Sequence, residues 1–461
     1  MSTNETTREE LWKIIAQLRE ENTRLKEKIA ELERRLNSNS QNSSKPPSSD
    51  GLRRPPKSLR KKGKNSKGGQ KNHKGITLQA TNAPDKIIIH NLEICPCCQN
   101  NLKETMVKKR IKRQVFEIPE LKIEVTEYQS EVKFCAVCQK NVNAEFLDGV
   151  NAPVQYGIRV KSLSIYLQQQ HFLPENRLQR LFLDIYNLPI AKATLSNFSI
   201  AFGDQLSDFI TDVEAKIYKT PVKNLDETSL KVEKKNHWLH VASTAKLTSY
   251  RISKKRGDIP DKMQGVVVHD HFKPYFCMKE AGHALCNAHH LRELESIIEH
   301  DKEEWSKKMK RVLLIGCKLK RRYPKGIPVR RILMVRDLYD KIVIEGLNYH
   351  ESLSPLPRSK KPWIRPKRRI GHNLLIRFRD FSDETLRFLY NPKVPFTNNQ
   401  AEQDIRMMKV KQKISGCFRA KTSAEIFCRI RSFLSTARKQ GWGILQSVSE
   451  ALNGHIPILS C

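Results

Sequence analysis

Three acidic residues stand where the sequence changes character: Asp226 in LDETSLKV, Asp270 closing GVVVHD, and Glu402 in TNNQAEQDIRMMKVKQKISGCFR. The first two end apolar, β-like runs, and the third opens a segment of helical period. Carboxylates at neighbouring strand tips can converge on one hard cation, because Mg²⁺ takes oxygen ligands and uses one or two carboxylates per ion. A third acid on a helix packed beside those tips completes a set for two ions. Such a pair activates an attacking oxygen and stabilises the leaving 3′ oxygen of an in-line displacement at phosphorus. The expected cofactor is therefore Mg²⁺ or Mn²⁺, as two ions. Glu227 and Asp404 are rival acids, although Asp404, two places beyond Glu402, faces elsewhere on a helix.

Arg406, Lys409 and Lys413 follow Glu402 at helical spacing, so all four lie along one face. An acid heading a basic stripe fits a site where the acid holds metal and the cations meet phosphate. The same spacing also occurs as ordinary surface pairing, worth roughly 0.2–0.5 kcal/mol per pair.

The composition favours the phosphate reading. With 84 Lys and Arg against 49 Asp and Glu, the 461-residue chain carries a net charge of +35, far beyond what solubility requires. A polyanion, with DNA foremost, is the expected partner. No apolar run approaches a membrane span, and MSTNETTREELWKII has none of the parts of a signal peptide, so a cytoplasmic protein is expected.

The elements that would position these residues fall into an ordered series. Leu11, Leu18, Leu25 and Leu32 alternate with Ile15, Asn22, Ile29 and Leu36 as d and a positions of a heptad repeat, predicting a dimeric, leucine-zipper-like coiled coil over 1–38. Residues 39–75 are rich in Ser, Pro, Gly and Lys and read as a disordered basic linker able to neutralise phosphates. Cys95, Cys98, Cys135 and Cys138 form two C-x2-C pairs, the ligand set of a closed structural Zn²⁺ site, and the sequence between them alternates like β-strands, giving a zinc-binding β module over 76–150. Eleven cysteines, an odd number, suit metal binding in a reducing compartment better than a disulfide framework.

Residues 151–215 read as helices broken at Leu188-Pro189, a helix-turn-helix-like region. The rest, 216–461, reads as an α/β domain interrupted by helices over about 291–390. Within that insertion the basic loop PRSKKPWIRPKRR carries Trp363 and Arg365, which can stack on unpaired bases. Cys277, His283, Cys286, His289 and His290 gather after the second aspartate, and the C-x2-H spacing of Cys286 and His289 raises a second zinc as a candidate.

NSSKPPSSDG, CPCC with the later CAVC, LDETSLKV, VVVHD and above all TNNQAEQDIRMMKVKQKISGCFR resemble the markers of IS66 family transposases, in that family's order along nearly the whole chain. The resemblance implies a multidomain α+β protein with an RNase H-like catalytic domain, and a DDE triad on Asp226, Asp270 and Glu402. It further implies cleavage at the ends of an insertion sequence and strand transfer of the 3′ hydroxyl into target DNA, with accessory transposition proteins as further partners. CMKEAGHALCNAHHLRELE departs from the commoner family wording. Two other functions compete: a DNA-binding regulator with an inactive RNase H-like domain, and a related nuclease without strand transfer.

Overall fold

The structure is a computed structural model that describes residues 8–39, 42–43, 77–260, 262–356 and 368–460. The 39–75 linker, Trp363 and Arg365 lie almost wholly outside those residues. The described residues form two compact units, 77–126 and the remainder.

In the smaller unit the chain turns at Cys95, where Gln99 N donates to Cys95 O and Cys95 N to Asn100 O, both at 2.9 Å. The expected strands after the turn do not form in 102–131. Phe116 and Ile118, then Leu121 and Val125, sit at the even spacing a strand requires, but their side chains lie open to solvent, and a strand is stable only with a partner and a face to bury.

The larger unit begins with α1 (Arg8–Asn37), acidic in its first turn and basic in its last, as the helix dipole favours. Its heptad leucines and isoleucines are exposed. Strands β1 (Val132–Cys135) and β2 (Lys140–Asn143) make an antiparallel hairpin around the second C-x2-C pair. Then come α2 (Ile158–Ile165), a π-helical turn (Tyr166–Gln170), α3 (Glu175–Tyr186), α4 (Lys192–Gln205) and α5 (Ser207–Lys219).

A five-stranded sheet follows, made of β3 (Val222–Val232), β4 (Lys235–Ser243), β5 (Thr248–Ser253), β6 (Val266–His269) and β7 (Gly282–Leu285). Its order is β5-β4-β3-β6-β7. Hairpin links make β3, β4 and β5 antiparallel, whereas β6 and β7 run parallel to β3.

After β7 the chain is helical: α6 (Asn287–His300), α7 (Glu304–Arg322), α8 (Val329–Ser352), α9 (Ile370–Asp380) and α10 (Ser382–Tyr390). Trp305, Met309, Tyr339 and Phe378 from these helices share a core with Val268 and Ala284 of the sheet, so the insertion packs on β6 and β7. Helices α11 (Asn399–Ser415), α12 (Lys421–Gln440) and α13 (Ile444–Leu452) complete the chain.

The region 151–215, read from sequence as helical and helix-turn-helix-like, shares one core with the end of the chain: Phe202, Phe209 and Val213 pack with Ile430, Phe433 and Val448. Gly203 lets α4 cross α12 closely, since a Cβ there would lie 2.8 Å from Ile426 Cγ2. α3, the left-handed Asn187 and α4 do form a helix, turn and helix around Leu178, Phe182, Ile190 and Leu195. That pair is fixed on the body of the unit.

Candidate active site

The sheet register brings the two aspartates to one level. Val222, Lys223 and Asn224 of β3 pair with Val266, Val267 and Val268 of β6, and the same offset carries Asp226 to Asp270, just past the end of β6. Alternation along β3 then sends Asn224 and Asp226 to one face and Leu225 and Glu227 to the other.

α11 docks on the Asp226 face through its first residues. The Asn398 side-chain amide donates to Leu225 O at 2.6 Å and accepts from Asn224 Nδ2 at 2.8 Å. Asn398 N donates to Cys286 Sγ at 3.1 Å. These bonds leave Asn398 almost wholly buried at the head of the helix, and Glu402, in the first turn, lies close enough for its charge to act on Asp226.

Electrostatics report the crowding. Burial, then the charges of Glu227, Asp270 and Glu402, push the Asp226 carboxyl well above its ordinary range. Like charges held together in low dielectric disfavour ionisation. A bound dication reverses that penalty, so the donor set fits a hard metal: carboxylate oxygens from three elements around shared negative potential.

The rival acids are engaged elsewhere. Glu227 Oε1 accepts from Arg256 Nε at 2.8 Å and Nη2 at 2.7 Å, and Tyr275 donates to its other oxygen. Arg256 stacks in turn over Phe272, 4.0 Å from the ring centre. Asp404 Oδ2 accepts from Lys439 Nζ at 2.8 Å and Ser243 Oγ at 2.6 Å, a tie between α11 and α12 on the sheet.

Around Glu402 lie residues that the sequence did not single out for this role. Arg292 of α6 reaches Glu402 Oε2 at 3.8 Å, and Asn398 and Asn224 hold the helix. Cys286 Sγ faces Glu402 Oε1 at 3.9 Å. Of the other candidates there, His283 bonds His269 Nε2 at 3.0 Å, His290 bonds Asn287 Oδ1 at 3.1 Å, and Cys277 is exposed.

The basic stripe on α11 divides. Arg406 and Lys413 are exposed, while Lys409 Nζ turns onto Ser229 O at 2.6 Å, and burial lowers the pKa of that lysine. With Lys192, Lys231, Lys411 and Arg419, Lys409 lines an open groove of about 680 Å³ beside β3 and α11.

The two C-x2-C turns, one in each unit, are built alike. Gln99 and Gln139, each just after the second cysteine, have φ of 57° and 52°. Backbone N–H groups within each turn point at the first cysteine and lower the pKa of Cys95 and Cys135.

A family model described as the IS66 family transposase matches residues 153–426, a span that contains Asp226, Asp270 and Glu402 and more than half of the chain. The chain belongs to the IS66 transposase family. A second model, of a family of unknown function, matches residues 2–79. No curated protein matches the chain. Membership in a transposase family implies a nucleic-acid-processing enzyme that acts on DNA. No helix among the described residues of this IS66-family chain is long and apolar enough to cross a membrane.

Proposed function

We propose that the chain is a DDE transposase that cleaves a strand at each end of its insertion sequence and joins the freed 3′ hydroxyl to target DNA. The observation that supports this reading is the β3–β6 register, whose offset aligns Asp226 with Asp270, together with the Asn398 anchor of the helix that carries Glu402. The sheet order, with three antiparallel strands and two parallel ones, supports an RNase H-like domain.

Asp226, Asp270 and Glu402 would hold two Mg²⁺ ions, which supply an activated attacking oxygen and a stabilised leaving 3′ oxygen. Arg292 restrains Glu402, and Arg406 and Lys413 meet the phosphates of the strand. Cleavage and joining are both phosphoryl transfers that differ only in nucleophile, so one carboxylate set serves both.

The rest of the chain would assemble the complex. The exposed heptad face of α1 supports a homodimer through the coiled coil, which pairs two element ends. Each cysteine turn by itself supports a pair of thiolate ligands for structural Zn²⁺, Cys95 with Cys98 and Cys135 with Cys138, since N–H groups aimed at sulfur favour the thiolate that zinc requires.

The test is an element-end duplex incubated with a plasmid target and Mg²⁺. The transposase reading expects the end joined covalently to the plasmid through its 3′ strand. Cuts without joined products would favour a nuclease, and binding without cuts a regulator.

A further inference from the structure

Cys286, His289 and Glu402 each aim one ligand atom into a common space, where these atoms lie within 4.8 Å of one another. Three features go beyond proximity. Cys286 caps α6 and His289 lies in its first turn, so the C-x2-H spacing puts sulfur and imidazole on the same side of the helix start. Three backbone N–H groups, of Ala288, His289 and Asn398, are directed at the Cys286 sulfur and fix its position, although burial and the Glu402 charge outweigh them and push the metal-free thiol up to about 12. His289 Nδ1 is buried with no hydrogen-bond partner, which leaves a ring nitrogen free to ligate.

We propose that Cys286, His289 and Glu402 bind one transition-metal dication, Zn²⁺ being the ion that fits sulfur, nitrogen and oxygen donors with a fourth position open. Binding displaces the Cys286 proton to solvent and forms one bond from each of the three side chains. Resting on the catalytic reading, a second consequence follows. The site takes a carboxylate that the Mg²⁺ pair needs, so Zn²⁺ held here draws Glu402 from Asp226 and Asp270 and opposes Mg²⁺-dependent cleavage.

The full chain is equilibrated in a Zn²⁺ buffer, and zinc per chain is measured by elemental mass spectrometry for the wild type, His289→Asn and Cys286→Ser. Ser retains an acceptor for the three N–H groups, and circular dichroism reports the fold of both variants. The wild type is expected to hold one zinc more than either folded variant, and equal content overturns the site. In a second arm, element-end cleavage at fixed Mg²⁺ is followed as Zn²⁺ rises. The wild-type rate is expected to fall roughly tenfold while His289→Asn keeps its Mg²⁺ rate. Equal inhibition of the two overturns the competition. An extra zinc in a wild type that cleaves nothing would sink the catalytic reading and the competition with it, leaving the metal site intact.

Discussion

The side chain of Asn398 donates to the carbonyl of Leu225 at 2.6 Å, one residue before Asp226. Through that bond the head of α11 is registered against the centre of the sheet, and Glu402 inherits its position from it. Replacing Asn398 by Ala leaves Asn224 and Leu225 O without their partner, a loss of about 1–3 kcal/mol for a buried unsatisfied group. A displacement of about 1 Å at the site costs roughly 100-fold in rate. Asn398→Ala is therefore expected to lower the thermal midpoint modestly and strand cleavage by about two orders of magnitude. Cleavage kinetics of the folded variant check this, and an unchanged rate would remove Asn398 from the positioning role.

Asp404 and Glu402 should respond oppositely. Asp404 is paired with Lys439, with side chains only 14% and 12% exposed, and breaking a buried pair from one side costs about 3–5 kcal/mol. Asp404→Asn should therefore destabilise the fold, whereas Glu402→Gln removes one repelling charge and should leave stability equal or higher. Denaturant midpoints of the two variants without metal decide it. A Glu402→Gln protein less stable than Asp404→Asn would contradict the assignment.

The raised Asp226 carboxyl has a pH signature. Its pKa in the folded state lies above the unfolded value, first through burial and then through Glu227 and Asp270. The folded state thus binds the proton more tightly. Stability from this group is complete below the unfolded carboxylate pKa and is lost as pH rises through the folded one. Without metal, the wild type is expected to lose stability relative to Asp226→Asn over that rise, and Mg²⁺ should restore it by mass action. Parallel profiles for the two proteins would show that Asp226 is not in the crowded site.

How much of this was legible in the sequence differs by level. Asp270 could be read at a strand tip because β6 is a short run of largely buried apolar residues, and α11 could be read from its period, whereas Asp226 lies inside β3, paired with Val241, and not at the strand end that its sequence suggested. Asn398 was visible only as part of a quoted motif, since an Asn that spans helix and strand has no periodic signature. Arg292 sits far from Glu402 in the chain and meets it only through packing of α6. The strands expected between the cysteine pairs failed for the opposite reason: the alternation was present and the burying face was not.

The zipper-like helix makes a separate prediction. Leu18 and Leu25 of α1 are 59% and 54% exposed, a stripe that a second copy would cover. Charged substitutions there, Leu18→Glu with Leu25→Glu, should convert a dimer to a monomer in sedimentation experiments and leave the sheet's fold unaltered. A wild type that sediments as a monomer would end the dimer reading.

Arg406 and Lys413 should act on DNA binding alone. Alanine at either is expected to weaken binding of all sequences similarly and to reduce the slope of log affinity against log salt by about 1. Salt titrations of element-end and unrelated duplexes check this, and an unchanged slope would place both side chains off the phosphate track.

The central claim is that Asp226, Asp270 and Glu402 act as one metal-holding set. It is tested most directly by Mg²⁺-dependent strand cleavage of an element-end duplex with Asp226→Asn, Asp270→Asn, Glu402→Gln and, as a control, Asp404→Asn assayed at a temperature where it is folded. The three site variants are expected to lose cleavage while still binding DNA, and the control to retain it. Wild-type cleavage by Glu402→Gln, or by either aspartate variant, would contradict the account.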